Sequence, residues 1–135
     1  MEKRKSSRVI VFSKEDNNKI YLIYRNKYGE KYYVVPGGGV EDNESFEEAA
    51  IRESMEELGT SLYNLKEITK VELDNDICSI FTANELNKFE PTGEELKNLD
   101  PNNYYEVQLH NITDIGKLNL KPDFYQSIIS ELIEE

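Results

Sequence analysis

The sequence PGGGVEDNESFEEAAIRESMEELGT, residues 36–60, changes from a glycine-rich turn to a helical pattern near its middle. Ser45 suits the N-cap of a helix, and Glu48 three residues later completes the signature of a capping box. Gly59 is a typical residue for ending a helix, because glycine adopts the left-handed conformation without steric cost. The segment therefore predicts one helix that begins after Ser45 and ends at Gly59.

Apolar residues lie on two sides of this predicted helix. With about 100° per residue, one sector is apolar in its first two turns and acidic in its last two. That sector contains Phe46, Ala49, Ala50, Glu53 and Glu57, with Glu56 at its border. A second strip contains Ile51, Met55 and Leu58. We therefore expect the helix to pack on two faces, so that the three glutamates line a cleft.

The three glutamates predict a metal site. Like charges at i and i+4 destabilise an exposed helix by about 0.2–0.5 kcal/mol per pair, and by more in a cleft. A hard divalent cation would offset that repulsion, and Mg²⁺ commonly joins one or two carboxylates to substrate phosphates. The preceding Gly37, Gly38 and Gly39 would let the main chain approach a metal or a phosphate closely.

Length and charge limit what this segment can belong to. A chain of 135 residues predicts a single domain over residues 1–135, with one core. The net charge of -11 argues against a general affinity for a nucleic-acid duplex or an anionic membrane, which both need a basic face. A phosphorylated small molecule stays possible as a partner if a cation lies between it and the protein. The sequence leaves the oligomeric state open, a homodimer included.

Targeting signals are not evident, and the expected compartment is the cytoplasm. No apolar run approaches the roughly 18–20 residues that span a bilayer. The start MEKRKSSRVIVF has only a short apolar run after its basic residues, which is too short for a secretory signal. Cys78 is the only cysteine and cannot form an internal disulfide, so we expect it to be a small buried hydrophobic residue.

Strand patterns surround the predicted helix. They are SRVIVFS (7–13), NKIYLIYRN (18–26), EKYYVVP (30–36), LKEITKVELD (65–74), DICSIFTANEL (76–86) and YYEVQLHNI (104–112). The first two form a predicted hairpin around KEDNN, the fourth and fifth pair around DND, and the glycines after Pro36 end the third. Residues 91–103 predict a loop with one helical turn.

A closing helix is predicted over residues 121–135. It has an apolar stripe of Phe124, Ile128, Ile129, Leu132 and Ile133. Strands mixed with two helices are typical of a layered α/β or α+β domain.

The opening segment resembles the Nudix box, G-x5-E-x7-R-E-U-x-E-E-x-G-U, in which U is a bulky aliphatic residue. All seven fixed positions match; they are Gly38, Glu44, Arg52, Glu53, Glu56, Glu57 and Gly59. Ser54 and Thr60 depart from the pattern at aliphatic positions, which concerns packing of the helix. Asn43 replaces a glycine that often precedes the first glutamate, and asparagine tolerates a left-handed backbone.

The resemblance implies a Nudix-type α/β/α sandwich with a mixed sheet. It also implies a hydrolase that uses Mg²⁺ or Mn²⁺ to cleave the diphosphate linkage of a nucleoside diphosphate joined to another moiety. A nucleoside triphosphate, an ADP-sugar and a dinucleotide are all open as substrates. A competing interpretation is a catalytically silent binding or regulatory module, against which the complete set of glutamates argues.

The resemblance also implies roles for individual residues. Glu53, Glu56 and Glu57, with the Gly38 carbonyl, would hold the metals. Arg52 and Glu44 would form an ion pair that orients them, and either Glu53 or Glu56 would help to deprotonate the attacking water. Substrate-binding candidates are Arg25, Gly37, Gly38 and Gly39, with Arg25 able to reach a phosphate or to be a plain surface charge.

Two positions outside the box have competing interpretations. Glu94 or Glu95 would supply a further acidic ligand, as in many family members, or would simply start a helix that Thr92 caps. His110 has no cysteine partner and no serine nucleophile motif nearby, so we interpret it as structural.

Overall fold

A computed structural model describes residues 3–88, 97–98 and 102–133. The described residues form eight strands, two α-helices and one 3₁₀ helix. In chain order these are β1 (Arg4–Phe12), β2 (Lys19–Lys27), β3 (Glu30–Val34), β4 (Gly37–Gly39), α1 (Phe46–Leu58), β5 (Thr60–Glu72), β6 (Asp76–Lys88), β7 (Lys97–Asn98), β8 (Asn103–Asn111), the 3₁₀ helix (Ile112–Lys117) and α2 (Phe124–Ile133).

The strands form one mixed sheet in the order β5-β6-β1-β2-β8-β7. The predicted hairpin of β1 and β2 is confirmed, with Phe12 opposite Ile20 beside the turn. Farther from the turn, β3 pairs with β2 and β4 pairs with β1. β1 and β6 are parallel, whereas the other pairs are antiparallel.

Each face of the sheet has its own apolar cluster. Ile10 of β1 packs in a cluster with Tyr125 and Ile129 of α2. Val9 and Val11 pack with Ala50 and Leu58 of α1. Because successive side chains of a strand point to opposite faces, the two helices lie on opposite sides of the sheet. The predicted layered α/β fold with a mixed sheet is therefore confirmed.

Two simpler predictions concern membranes and cysteine chemistry. Within the described residues, neither α-helix has the length and apolar character needed to cross a membrane. Cys78 is 4% exposed and belongs to the α2-side cluster, as its interpretation as a buried hydrophobic residue predicts.

The limits of α1 follow the sequence prediction. The Ser45 hydroxyl accepts a hydrogen bond from the Glu48 N–H, and the Glu48 side chain accepts one from the Ser45 N–H, which together form the capping box. Gly59 ends the helix in the left-handed conformation with φ 66°. The expected second packing face is wrong at Ile51, which is 50% exposed, whereas Leu58 of the same strip is fully buried. The neighbouring strands decide which residues of the helix are covered.

Glycines 37–39 were predicted only to end the third strand. This prediction is incomplete, because these glycines also form a strand. They form the short strand β4, with Gly37 opposite Arg8 and Gly38 opposite Ser7. Gly37 has φ 147°, and an added Cβ atom would lie 2.0 Å from the Ser7 carbonyl oxygen. Such a close backbone approach needs glycine.

Other differences lie in the second half of the chain. β5 starts at Thr60, directly after α1 and five residues before the predicted start. The 3₁₀ helix was not predicted, and neither was β7, which pairs with β8 inside the predicted loop of residues 91–103. The side chain of Ile133, placed on the predicted apolar stripe, lies outside the described part of the chain.

The two departures from the aliphatic pattern behave differently. Ser54 is 1% exposed, and its hydroxyl has no hydrogen-bond partner among the described residues. Thr60 is fully buried, but its hydroxyl donates to the Asn87 carbonyl oxygen at 2.9 Å. A buried hydroxyl without a partner carries an uncompensated desolvation cost, whereas a paired one does not.

We predict that Ser54→Ala stabilises the protein by about 1 kcal/mol, because it removes the unpaired hydroxyl. Thr60→Val, the matched control, should destabilise it by about 1 kcal/mol, because the Asn87 carbonyl loses its donor. Urea unfolding of both variants and the wild type measures these changes. Equal effects of the two substitutions would contradict the difference in hydrogen bonding.

Candidate active site

Arg52 of α1 lies at the centre of a carboxylate cluster. Its Nε donates to Glu44 Oε2 at 2.8 Å and its Nη2 donates to Glu44 Oε1 at 3.1 Å. Arg52 therefore forms a bidentate ion pair with Glu44. Its Nη1 donates to Glu53 Oε1 at 2.9 Å and to Glu56 Oε2 at 3.3 Å. Its Nη2 also donates to the Gly39 carbonyl oxygen at 2.9 Å. One guanidinium therefore ties α1, β4 and the segment between them together.

The ion pair between Arg52 and Glu44 changes the pKa of both groups. Hydrogen bonds from Arg52 hold the pKa of the Glu44 carboxyl below its usual value, and the Glu41 N–H lowers that pKa further. The same Glu44 contact is the main cause that raises the pKa of Arg52. The Glu44 side chain is 14% exposed and that of Glu53 16%, whereas that of Glu56 is 43% exposed. The ion pair with Glu44 is thus largely shielded from solvent.

Two glutamates of α1 contact the glycine strand β4. A Cβ atom added to Gly38 would lie 2.7 Å from Glu53 Oε1 and 2.8 Å from its carboxyl carbon. A side chain at position 38 would therefore force this carboxylate to shift. The Gly37 N–H donates to Glu57 Oε1 at 2.8 Å. The predicted adjacency of the glycine loop and the acidic helix is therefore present in the structure.

A cleft of about 330 Å³ opens beside Glu57 and Gly37. Its other lining residues are Arg8, Ile23, Arg25, Val34 and Tyr105. Arg8 also donates to the carbonyl oxygens of Val35 at 3.0 Å and Gly37 at 3.2 Å. The cleft therefore combines an acidic end, two arginines and apolar walls.

Arg25, which was predicted from the sequence as a substrate-binding candidate, lines the cleft. Its Nη2 donates to Asn103 Oδ1 at 2.8 Å, and its guanidinium lies 5.5 Å from the centre of the Tyr105 ring. Its Nε is buried and has no hydrogen-bond partner within the described part of the chain. Arg25 is therefore held by its neighbours while its Nε–H stays unpaired.

The residues fit a divalent cation in their chemistry. Glu53, Glu56 and Glu57 offer the oxygen donors that hard cations prefer, and Glu53 and Glu57 lie against β4. Glu53 and Glu56 are turned toward Arg52, however. As placed, no three acidic, histidine or cysteine side chains among residues 3–88, 97–98 and 102–133 are arranged to share an ion. The carboxylates of Glu53 and Glu56 would have to turn from Arg52 to a cation.

The remaining candidates lie elsewhere. Glu94 and Glu95 fall outside the described residues, so their predicted role is neither confirmed nor contradicted. His110 contacts Gln108 at 2.8 Å through its Nε2, and its ring meets the Tyr33 ring edge-on at 5.1 Å. Alternation along β8 places it on the opposite face of the sheet from Tyr105.

Sequence reasoning did not single out three residues that line or support the cleft, namely Arg8, Asn103 and Tyr105. Both strands, β2 and β8, were predicted from the sequence. The register that sets Arg25 opposite Tyr105 was not, because the contacting residues Arg25 and Asn103 are 78 positions apart in the chain.

Comparison with known families gives one match over nearly the whole chain. A model of the NUDIX domain matches residues 3–131. An RNA pyrophosphohydrolase from Pasteurella multocida (strain Pm70) is 40% identical over 50 residues, which cover 37% of this chain. The match spans only 25% of the length of that relative.

Solved structures share the fold. A MutT structure, from work on the Aliivibrio salmonicida and Vibrio cholerae proteins, has a TM-score of 0.76 at 17% identity and covers 98% of both chains. A NUDIX-family hydrolase from Clostridium perfringens has a TM-score of 0.68 at 20% identity, covering 99% of this chain and 96% of that one. A MutT protein from Bacillus halodurans has a TM-score of 0.70 at 16% identity, covering 98% and 83%.

The Glu44 ion pair predicts a pH dependence of stability. The pKa of Glu44 is lowered in the folded state, so its contribution is fully present above the unfolded value of about 4.3 and is lost as pH falls through the lowered pKa. Glu44→Gln should therefore be less stable than wild type at neutral pH, and the difference should shrink below about pH 4. Melting curves from pH 2.5 to 7 in EDTA measure this difference.

Glu47→Gln, which alters an exposed carboxylate on the same helix, controls for the loss of one negative charge. A Glu44→Gln difference that stays constant across the acid range would show that the carboxylate pairing does not contribute.

Proposed function

Because the chain belongs to the NUDIX domain family, we propose that it is a hydrolase of a diphosphate linkage in a nucleoside diphosphate joined to another group. The convergence of Glu53, Glu56 and Glu57 around Arg52 and the β4 glycines carries this proposal. The arrangement lies beside a cleft that contains a held arginine. The short match to an RNA pyrophosphohydrolase supports the same class of reaction.

Mg²⁺ or Mn²⁺ is the proposed cofactor, and the proposed ligands are Glu53, Glu56, Glu57 and the main chain of Gly38. The cation, when bound, would neutralise phosphate charge and make water more acidic. Because Arg52 already pairs with Glu53 and Glu56, the carboxylates are partly neutralised before any cation binds. The acidic helix is therefore tolerated without metal.

The protein's own residues have distinct roles in this proposal. Either Glu53 or Glu56 accepts the proton of the attacking water, whose oxygen forms a bond to phosphorus while the anhydride P–O bond breaks. The leaving phosphate takes the electron pair of that bond. Glu44 holds Arg52, and Arg52 in turn positions the two carboxylates. Gly37, Gly38 and Gly39 permit close approach to the substrate, and Arg25 binds one of its phosphates.

The substrate class is tested with a panel of nucleoside triphosphates, ADP-sugars, dinucleoside polyphosphates and RNA with a 5′-triphosphate. We predict metal-dependent release of phosphate, pyrophosphate or nucleoside monophosphate from at least one class. EDTA should abolish it, and the rate should rise into the alkaline range because hydroxide becomes more abundant at the site. Binding without turnover of any member would instead support the silent module, and turnover in EDTA would contradict the metal mechanism.

A second prediction separates metal ligation from stability. Glu57→Gln keeps the shape of the side chain and an oxygen acceptor for the Gly37 N–H, but it removes one negative charge and a strong cation ligand. In EDTA the variant should be within a few tenths of a kcal/mol of wild type or slightly more stable. With millimolar Mg²⁺ the wild type should gain stability by binding linkage, and the variant should gain much less.

Thermal melts with and without Mg²⁺ compare the two proteins, with Glu47→Gln as the matched control. Glu47→Gln should respond to Mg²⁺ like the wild type, since Glu47 is exposed in the first turn of α1. Glu57→Gln should also lower turnover by orders of magnitude. An equal gain from Mg²⁺ in both variants would mean that Glu57 is not a metal ligand.

A further inference from the structure

We propose that Asn103 is a positioning residue that holds Arg25 for a phosphate group of the substrate. In this proposal its neutral amide matters as much as its geometry, because it holds the guanidinium without cancelling the positive charge. The inference deepens the proposed function, on which its kinetic part rests. It assigns a role in substrate recognition to a residue far from the glycine strand and the acidic helix.

The sheet register brings the two residues together. Arg25 of β2 lies directly opposite Tyr105 of β8, and Asn103 is two residues from Tyr105 on the same face. Asn103 Oδ1 accepts from Arg25 Nη2 at 2.8 Å. The Tyr105 ring lies 5.5 Å from the guanidinium carbon. One hydrogen bond and one ring contact therefore restrict the position of the Arg25 head group.

Arg25 keeps both charge and donor capacity after these contacts. Among the described residues it forms no ion pair, and its buried Nε–H has no acceptor. A buried N–H without a partner is unfavourable, so an acceptor other than the described residues is expected. Because the guanidinium charge is not balanced, an anionic oxygen is preferred to a neutral one.

The location identifies which anion fits. Arg25 lines the same cleft as Gly37 and Glu57, whose main-chain N–H and carboxylate contact each other. A diphosphate bound at the acidic cluster would place a further phosphate or its neighbouring ester within this cleft. Arg25 therefore suits a phosphate that does not react, and its loss should weaken binding more than it slows the chemical step.

The contrast with Arg52 shows why an amide at position 103 is informative. Arg52 contacts the carboxylates of Glu44, Glu53 and Glu56, and these neutralise its positive charge. A carboxylate at position 103 would also accept a hydrogen bond from Arg25, but it would neutralise the positive charge of the guanidinium. Asn103→Asp should therefore preserve the position of Arg25 and weaken its attraction for phosphate.

The first experiment is independent of turnover. The ¹⁵N heteronuclear NOE of the Arg25 Nε–H reports how restricted the side chain is. It should be high in the wild type and in Asn103→Asp, and low in Asn103→Leu. Asn119→Leu, which removes an exposed asparagine that donates to the Lys31 carbonyl oxygen, is the matched control and should leave the signal unchanged. An unchanged NOE in Asn103→Leu would overturn the positioning role, whether or not the protein is a hydrolase.

The second experiment measures kinetics with the best substrate of the panel. Asn103→Leu and Asn103→Asp should each raise KM about tenfold to a hundredfold, as expected for a hydrogen bond to a charged group, while kcat stays within about threefold. In an Arg25→Leu background Asn103→Leu should not change KM further, because Asn103 acts through Arg25. Asn119→Leu should have the wild-type KM.

Three kinetic results would overturn the proposal. A wild-type KM in Asn103→Asp would show that the neutral charge of the amide is unimportant. Effects of Asn103→Leu and Arg25→Leu that multiply would show independent roles. A lower kcat with unchanged KM in Asn103→Leu would place its effect on the chemical step. If no substrate of the panel is turned over, the affinity for inorganic pyrophosphate with Mg²⁺ replaces KM, with the same expected changes.

Discussion

The Arg52 guanidinium is the contact on which the candidate site depends. It is the shared partner of Glu44, Glu53 and Glu56, and it also holds the Gly39 carbonyl. Without that charge these carboxylates would repel one another over a few ångströms in a partly shielded environment. A lysine would supply charge but not the planar fork that reaches two oxygens of Glu44 at once. Arg52 therefore offsets the repulsion between the carboxylates and links α1 to β4.

Features that depend on a few consecutive residues could be predicted from the sequence. The Ser45 cap, the Glu48 capping box and the Gly59 stop all act within one helix, and each is present as expected. The exposed Ile51 was misjudged because a helical wheel shows which residues share a side but not whether another element covers that side. β4 was missed for a related reason. Three glycines have little strand propensity, and only pairing with β1 makes them a strand.

Contacts between distant strands could not be predicted in the same way. Arg25 was recognised as a candidate from its place at the end of β2, yet its partners Asn103 and Tyr105 come from β8. A shift of one residue in the β2–β8 register would move both partners to the opposite face of the sheet. No short pattern in either strand fixes that register, because the intervening chain and the packing of both faces determine it.

Charge distribution explains how an acidic protein can suit an anionic substrate. The net charge is -11, but charges more than about 8 Å apart in solvent are largely screened at physiological ionic strength. Attraction of a phosphate therefore depends on the cleft itself, where Arg8 and Arg25 lie beside Glu57. Arg8 is engaged by main-chain carbonyls, so Arg25 is the more available of the two. Because β2 and β8 position Arg25, the proposed phosphate-binding role predicts that substitutions in these strands alter substrate binding while the Arg52 cluster stays intact.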